Sequence, residues 1–265
     1  MGYFEYQRST AGVTSRLARR LERYSPLSPA EKQSLETVAR DVRRFEARSH
    51  MAKSGTPVDG IFAIIEGFAC RYKLLPDGRR QILAFLLPGD LCDTRSFVLA
   101  TRDHSLCALS PVDAAYLSRE AVQRLEELPG LNHALACNSL VQQSIAREWL
   151  VNIGHRSSFE RLSHLLCEIF VRLDVVGLTR EYTCEVPLTQ TEIADTLALS
   201  AVHVNRTLME LRRAGILSFH NRQLVIHDYT ALREAAGFEP SYLQLEQLHA
   251  VAPPSPAERI VPLSH

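Results

Sequence analysis

The rhythm of apolar and polar positions changes several times along the chain, and each change predicts a different element. Residues 1–27 are polar and arginine-rich and are expected to form a flexible extension. Ser28-Pro29-Ala30-Glu31 combines an N-cap, a proline suited to the first helical position and a capping glutamate, which predicts a helix through about Arg40. From Gly55 short β-prone runs take over: Gly60 to Cys70, Arg71 to Leu75 and Gln81 to Leu87. They are punctuated by Glu66-Gly67, Pro76-Asp77-Gly78 and Pro88-Gly89-Asp90, which are hairpin signals at strand spacing. Segments around Ser105–Leu109 and Ala114–Leu117 continue the pattern until helical spacing returns at Arg119, predicting a small antiparallel barrel or jelly roll.

Pro129-Gly130 breaks the chain, after which Leu131 to about Ile153 reads as one long helix with Leu135, Val141, Ile145 and Leu150 among its apolar positions. Two readings stand for this helix. Val141, Ile145 and Leu150 can form a dimer seam, or the helix can lie on the barrel, since Asn138 and Glu148 interrupt its heptads. Residues 154–158 look like a hinge. The tail after Tyr242 ends in Ala252-Pro253-Pro254-Ser255-Pro256, carries little apolar periodicity and is expected to be flexible.

The densest pattern lies in Leu188–Arg213. Thr189 followed three residues later by Glu192 is a capping box, so a helix starts there. Its apolar positions Ile193, Ala194 and Leu197 give way to Ala198-Leu199-Ser200 too soon for an ordinary long helix. Ser200 is a second N-cap, and Leu199 with Val204 forms a hydrophobic staple that sets the angle at which the next helix leaves. Val204, Leu208 and Leu211 share a buried face, Gly215 sits where a left-handed stop is expected, and Ile216–Phe219 and Leu224–Ile226 predict a hairpin wing. This is a winged helix-turn-helix. The plainer reading, a helical hairpin whose arginines are merely solvated, leaves the succession of two caps, a staple, a stop and a wing unexplained.

With that face buried, Val202, Arg206 and Arg213 turn outward, flanked by Asn205 and Met209. Arginine pairs bidentately with guanine and asparagine with adenine, so Arg206 and Asn205 are candidates for base-edge contact; Val202 offers apolar contact to a thymine methyl. Arg222 at the wing is a candidate phosphate contact, adding affinity without sequence information.

Composition bounds these readings. The 265 residues suffice for about two domains, and 46% hydrophobic residues supply their cores. No stretch approaches about 18 apolar residues and the N-terminus does not resemble a signal peptide, so a cytoplasmic protein without membrane partners is expected. Thirty basic and thirty acidic residues balance, so attraction to nucleic acid must come from a local patch; residues 200–222 carry Arg206, Arg212, Arg213 and Arg222 against Glu210 alone. Cys70, Cys92, Cys107, Cys137, Cys167 and Cys184 include no CxxC pair, which argues against a zinc site or a disulfide framework; a redox or haem role stays open for Cys92 and Cys184.

A barrel, a long helix and a winged helix-turn-helix in this order resemble the Crp/Fnr family of bacterial transcription regulators, over roughly residues 30 to 235. The specific portions are Leu188–Leu217, Pro88-Gly89-Asp90, and Trp149 to Arg156 preceding Glu160-Arg161-Leu162. The resemblance implies an α+β protein: a cyclic-nucleotide-binding-like jelly-roll barrel over 28–130, a linking and dimerisation helix over 131–154, a DNA-binding domain over 155–236 and a tail over 237–265. It further implies a homodimer on a roughly palindromic site of double-stranded DNA, half-sites about one turn apart, with RNA polymerase as a further partner. Carried over by position, Thr191, Ser200 and His203 look like phosphate contacts, joined by Arg213 and Arg222, and Arg206 looks like the family's guanine-reading arginine.

The sequence also departs from the family pattern. Where members often place a glutamate two residues after the helix cap, this chain has Val202. The Gly-Glu and Arg-Ser pairs of cyclic-nucleotide binders correspond to Asp93-Thr94 and His104-Ser105, and the adenine-contacting pair of the long helix to Ala146-Arg147. A carboxylate facing the phosphate region, with the arginine absent, repels an anion, so no productive cyclic AMP binding is expected. The N-terminal cysteine cluster of the iron-sulfur branch is absent, the first cysteine being Cys70. No cofactor or metal is predicted; an unknown small effector, haem, cysteine oxidation or control by expression alone stay open as the signal. Two other classes are compatible with a small barrel: a cupin-like metal enzyme on His50, His104 and His133, disfavoured by their scattered spacing, and a protein-interaction barrel docking through the long helix. No nucleophile-base-acid constellation emerges, so catalysis is not expected.

Overall fold

The computed structural model describes residues 10–94 and 96–245. It opens with α1 (Thr10–Glu22) and α2 (Pro29–Val38), the latter started by the Ser28–Glu31 capping box. Seven strands follow: β1 (Val42–Phe45), β2 (His50–Ala52), β3 (Gly60–Glu66), β4 (Ala69–Leu74), β5 (Arg80–Leu86), β6 (Ser105–Ala108) and β7 (Val112–Ser118). They form two antiparallel sheets, in the orders β1-β7-β3 and β2-β6-β4-β5, which enclose a core including Phe62, Ile64, Leu86, Leu106 and Val112. The β3–β4 turn requires glycine: Gly67 has φ +81°, and a Cβ there would meet the Pro111 carbonyl oxygen at 2.0 Å.

Next come α3 (Arg119–Glu126), the long α4 (Pro129–His155) and α5 (Ser158–Val175), the last begun by a Ser157–Glu160 capping box. The C-terminal part holds β8 (Thr179–Arg180), β9 (Thr183–Glu185), α6 (Gln190–Leu197), α7 (Ala201–Arg213), β10 (Leu217–His220), β11 (Gln223–Ile226) and α8 (Tyr229–Ala236), then a 3-10 turn over Pro240–Leu243. Its sheet runs β10-β11-β9-β8.

Three expectations need correction. The stretch 1–27 is not a loose extension where it is described: Leu17, Leu21, Tyr24 and Leu27 are buried against the barrel and helices, Leu17 and Leu21 because their four-residue spacing puts an apolar stripe on α1, Tyr24 and Leu27 because the turn after α1 packs into the same core. Residues 1–9 lie outside the described residues. At the other end, Phe238 and Leu243 are buried and Tyr242 reaches the Glu168 carboxylate, so the tail is anchored at least that far; Ala252–Pro256 lies outside the described residues. On α4, Val141 and Ile145 face inward to their own chain and are 3% and 1% exposed, whereas Leu150 is 72% exposed. The first two are core residues here, as in the barrel-packed reading of the helix.

A buried charge network joins the parts. Asp90, in the Pro88-Gly89-Asp90 turn, accepts from the Leu87 amide and pairs with Arg172 of α5. Arg172 also donates to Glu168 and to the Phe85 carbonyl, each at 2.9 Å. Glu168 in turn accepts from the Trp149 indole of α4 at 3.0 Å and the Tyr242 hydroxyl at 2.9 Å. Barrel, linking helix and DNA-binding domain therefore share one set of buried hydrogen bonds.

Candidate nucleic-acid interface

Two helices and their caps shape the surface. The Thr189 hydroxyl accepts from the Glu192 amide while the Glu192 carboxylate takes the Thr189 amide at 2.7 Å, fixing the start of α6. The helix stops at Ala198, which adopts a left-handed conformation at φ 53°. Ser200 caps α7 through the His203 amide, and its hydroxyl also lies 2.9 Å from His203 Nδ1. At the far end Ala214 caps α7 and Gly215 follows at φ 71°. Val204, Leu208 and Leu211 are buried beneath the helix.

The opposite face of α7 is open. Val202 is 78% exposed, and Asn205, Arg206, Met209 and Arg213 are exposed with it. Arg206 Nε lies 3.8 Å from Glu210 Oε1, a loose pair on the helix surface that leaves the guanidinium free to exchange partners. Val202, Asn205 and Arg206 thus share the first two turns, with Ser200 and His203 beside them at the helix N-terminus, where amides and dipole favour a phosphate. Thr191 is exposed in the first turn of α6. Arg213 stands seven residues past Arg206, about 10 Å along the axis. The wing is a two-residue hairpin with Asn221 and Arg222 both at positive φ. Exposed Arg222 lines a crevice with Arg16, Glu66, Gly67 and Pro88.

The barrel carries a second cluster, against α4. Asp93, which the resemblance leads one to expect at the phosphate region, does not stand alone as a repelling charge. Its carboxylate lies 3.0 Å from Arg71 Nε, 3.3 Å from Arg102 Nη1 and 3.1 Å from His104 Nε2. Burial works against the Asp93 charge, but Arg71, His104 and Arg102 outweigh it and hold the carboxyl well below the usual range. Burial likewise opposes charge on His104, yet Asp93 and Asp103 raise its affinity for a proton. The expectation that arginine is absent here is therefore corrected: Arg71 arrives from β4 and Arg102 from the loop before β6, neither at the aligned position. Gln142, Ser139 and Ala146 of α4 line the same cleft.

Burial also answers for the cysteines. Cys92 is fully buried and its thiol is pushed far up by desolvation; the buried Cys184 thiol is pushed up to about 12. Buried thiols kept neutral in this way are poor nucleophiles, which argues against the redox role left open for these two residues. His50 pairs with the Tyr72 hydroxyl, His104 with Asp93 and Asp103, and His133 with Cys137, so the three histidines serve separate partners. Among the described residues no three His, Cys, Asp or Glu side chains are grouped to hold a metal ion, and no helix is long and apolar enough to cross a membrane.

Residues 160–235 match the Crp-like helix-turn-helix domain and residues 42–127 the cyclic nucleotide-binding domain. The transcriptional activatory protein AadR of Rhodopseudomonas palustris is 30% identical over 196 residues, covering 72% of this chain and 79% of that protein. The transcriptional activator protein FnrL of Cereibacter sphaeroides is 28% identical over 206 residues, 74% of this chain and 80% of its own. Among solved structures, FixK2 from Bradyrhizobium japonicum superposes with a TM-score of 0.67 at 24% identity, over 75% of this chain and 98% of that one. With both domains matched in the order in which the structure presents them, the chain belongs to the Crp/Fnr family of transcription regulators.

Proposed function

We propose that this DNA-binding regulator acts as a homodimer on a two-fold-related site, reading each half-site with Val202, Asn205 and Arg206 of α7. The uncovered outward face of α7 is the observation that carries this reading. Thr191, Ser200, His203, Arg213 and Arg222 hold phosphates in it. The dimer seam runs along the exposed α4 positions His133, Leu140, Arg147 and Gly154, seven residues apart, with Gln143 and Leu150 interleaved. Leu140 and Leu150, 61% and 72% exposed, are its apolar anchors. The seam replaces the one expected through Val141 and Ile145.

Asp93 fills the anion-holding place among Arg71, Arg102 and His104 with the protein's own carboxylate, which disfavours a cyclic nucleotide phosphate there. Since several relatives are named transcriptional activators, the bound dimer is read as contacting RNA polymerase. Selecting bound sequences from a random DNA pool tests the reading. A two-fold-related motif is expected; Arg206→Ala should lose about 1–3 kcal/mol and discrimination at one base pair, and Arg222→Ala should weaken all sequences alike. Enrichment of no motif would defeat it.

A further inference from the structure

The last carbonyls of a helix have no partner within it and must find donors elsewhere. At the end of α6, two of those donors come from outside the helix pair. Arg161 Nη1 of α5 donates to the Leu197 carbonyl at 3.1 Å. Gln81 Nε2, on β5 of the barrel, donates to the Thr196 carbonyl at 3.2 Å. The neighbouring barrel residue, Arg80, grips Asp195 with both Nε and Nη2 at 2.8 Å. Residues 80 and 81 thus hold the last turn of α6 from a domain 115 residues away in sequence. Immediately beyond that turn lie left-handed Ala198 and the Ser200 cap, which together set the direction of α7.

We propose that Arg80 and Gln81 are positioning residues for DNA reading: they clamp the end of α6 to the barrel and hold α7 in its reading orientation. The proposal rests on the DNA-reading role of α7. Stability alone is a poor account of the clamp. Arg80 and Asp195 are each about a quarter exposed, and ion pairs with that access to water contribute little to folding. Without the barrel, water could satisfy the Thr196 carbonyl, so the geometric consequence of the contact is orientation. The reading face of α7 is uncovered while the clamp is closed, so the clamp holds α7 without blocking its access to DNA.

The test uses the full-length protein with Arg80→Ala/Gln81→Ala, and a charge swap, Arg80→Asp/Asp195→Arg. Operator affinity, on a sequence selected by the wild type, is read by fluorescence anisotropy beside the thermal midpoint, the salt dependence of binding and hydrogen exchange at the Ala198 and Leu199 amides. The double alanine variant should bind the operator about tenfold more weakly, within the range usual for coupling between sites. Its midpoint and salt slope should stay unchanged and exchange at the turn should quicken; the swap should restore binding relative to Arg80→Asp alone. An unchanged salt slope separates positioning from a direct phosphate contact by Arg80. Equal affinity of the double variant and wild type, tighter binding by the variant, a reduced salt slope, or no rescue by the swap overturns the proposal. A wild type that selects no DNA sequence defeats the DNA reading itself, whereas a selective wild type with an indifferent double variant defeats the clamp alone.

Discussion

Arg172 Nη2 lies 2.5 Å from Asp90 Oδ2, with both side chains at most 3% exposed, although 82 residues separate them. One is on the first helix of the DNA-binding domain and the other in a barrel turn. Burying such charges is unfavourable unless every partner is present, so removing one member is far worse than lacking both. Arg172→Met should therefore cost about 3–5 kcal/mol in urea denaturation. The remaining carboxylates, Asp90 and Glu168, would then be left with one cation fewer between them. A loss below about 1 kcal/mol would mean that water reaches the network.

His104 and Asp93 make a measurable titrating pair. The folded His104 binds its proton more tightly than the unfolded ring, because Asp93 and Asp103 outweigh the opposing effects of burial and Arg71. Its contribution to stability is present in full below the unfolded value near 6.5 and is lost as pH rises through the raised folded value. Asp93 behaves oppositely: its contribution is present above its unfolded value near 3.9 and is lost as pH falls toward its depressed folded value. Ring-proton NMR of Asp93→Asn should show His104 titrating at lower pH than in the wild type. An unmoved titration would remove Asp93 as the partner.

The two faces of α4 separate folding from assembly. Truncating buried Ile145 to alanine should cost about 2–5 kcal/mol of stability through the cavity it leaves, with association intact if the protein folds. Leu150→Asp should do the reverse, since Leu150 is exposed and a charge placed on an apolar seam opposes pairing. Sedimentation equilibrium beside denaturation reads both quantities. Dimers that persist unchanged in Leu150→Asp would exclude the proposed seam at that point.

Parts of this chain are legible one residue at a time. Thr189 with Glu192, Ser200 with His203 and the glycine stop after α7 are local chemistry, and the sequence contains all of their partners within a few positions. The Asp93 cluster is not legible locally because its arginines lie 22 residues before and nine residues after it, brought in by β4 and by the loop before β6. The α4 seam is ambiguous in the sequence for a different reason. Val141 and Ile145 and then Leu140 and Leu150 both follow helical spacing, and periodicity alone does not say which stripe meets the barrel. Leu17 and Leu21 carried a usable signal, a four-residue spacing, that the surrounding arginines obscured.

Val202 makes the sharpest test of how α7 reads DNA. It is 78% exposed, and its side chain has neither donor nor acceptor. A carboxylate accepts a hydrogen bond from the cytosine amino group, whereas valine favours apolar contact such as the thymine methyl. Val202→Glu should therefore shift preference at one position of each half-site from thymine toward cytosine, leaving the base read by Arg206 unchanged. Each good base contact discriminates by about 1–3 kcal/mol, so the switch should be plain in a comparison of single-base operator variants. The added negative charge should also weaken binding to every sequence by a common factor, which the comparison removes. A change spread evenly over all positions would mean that Val202 faces phosphate rather than base and that α7 enters the groove in another orientation.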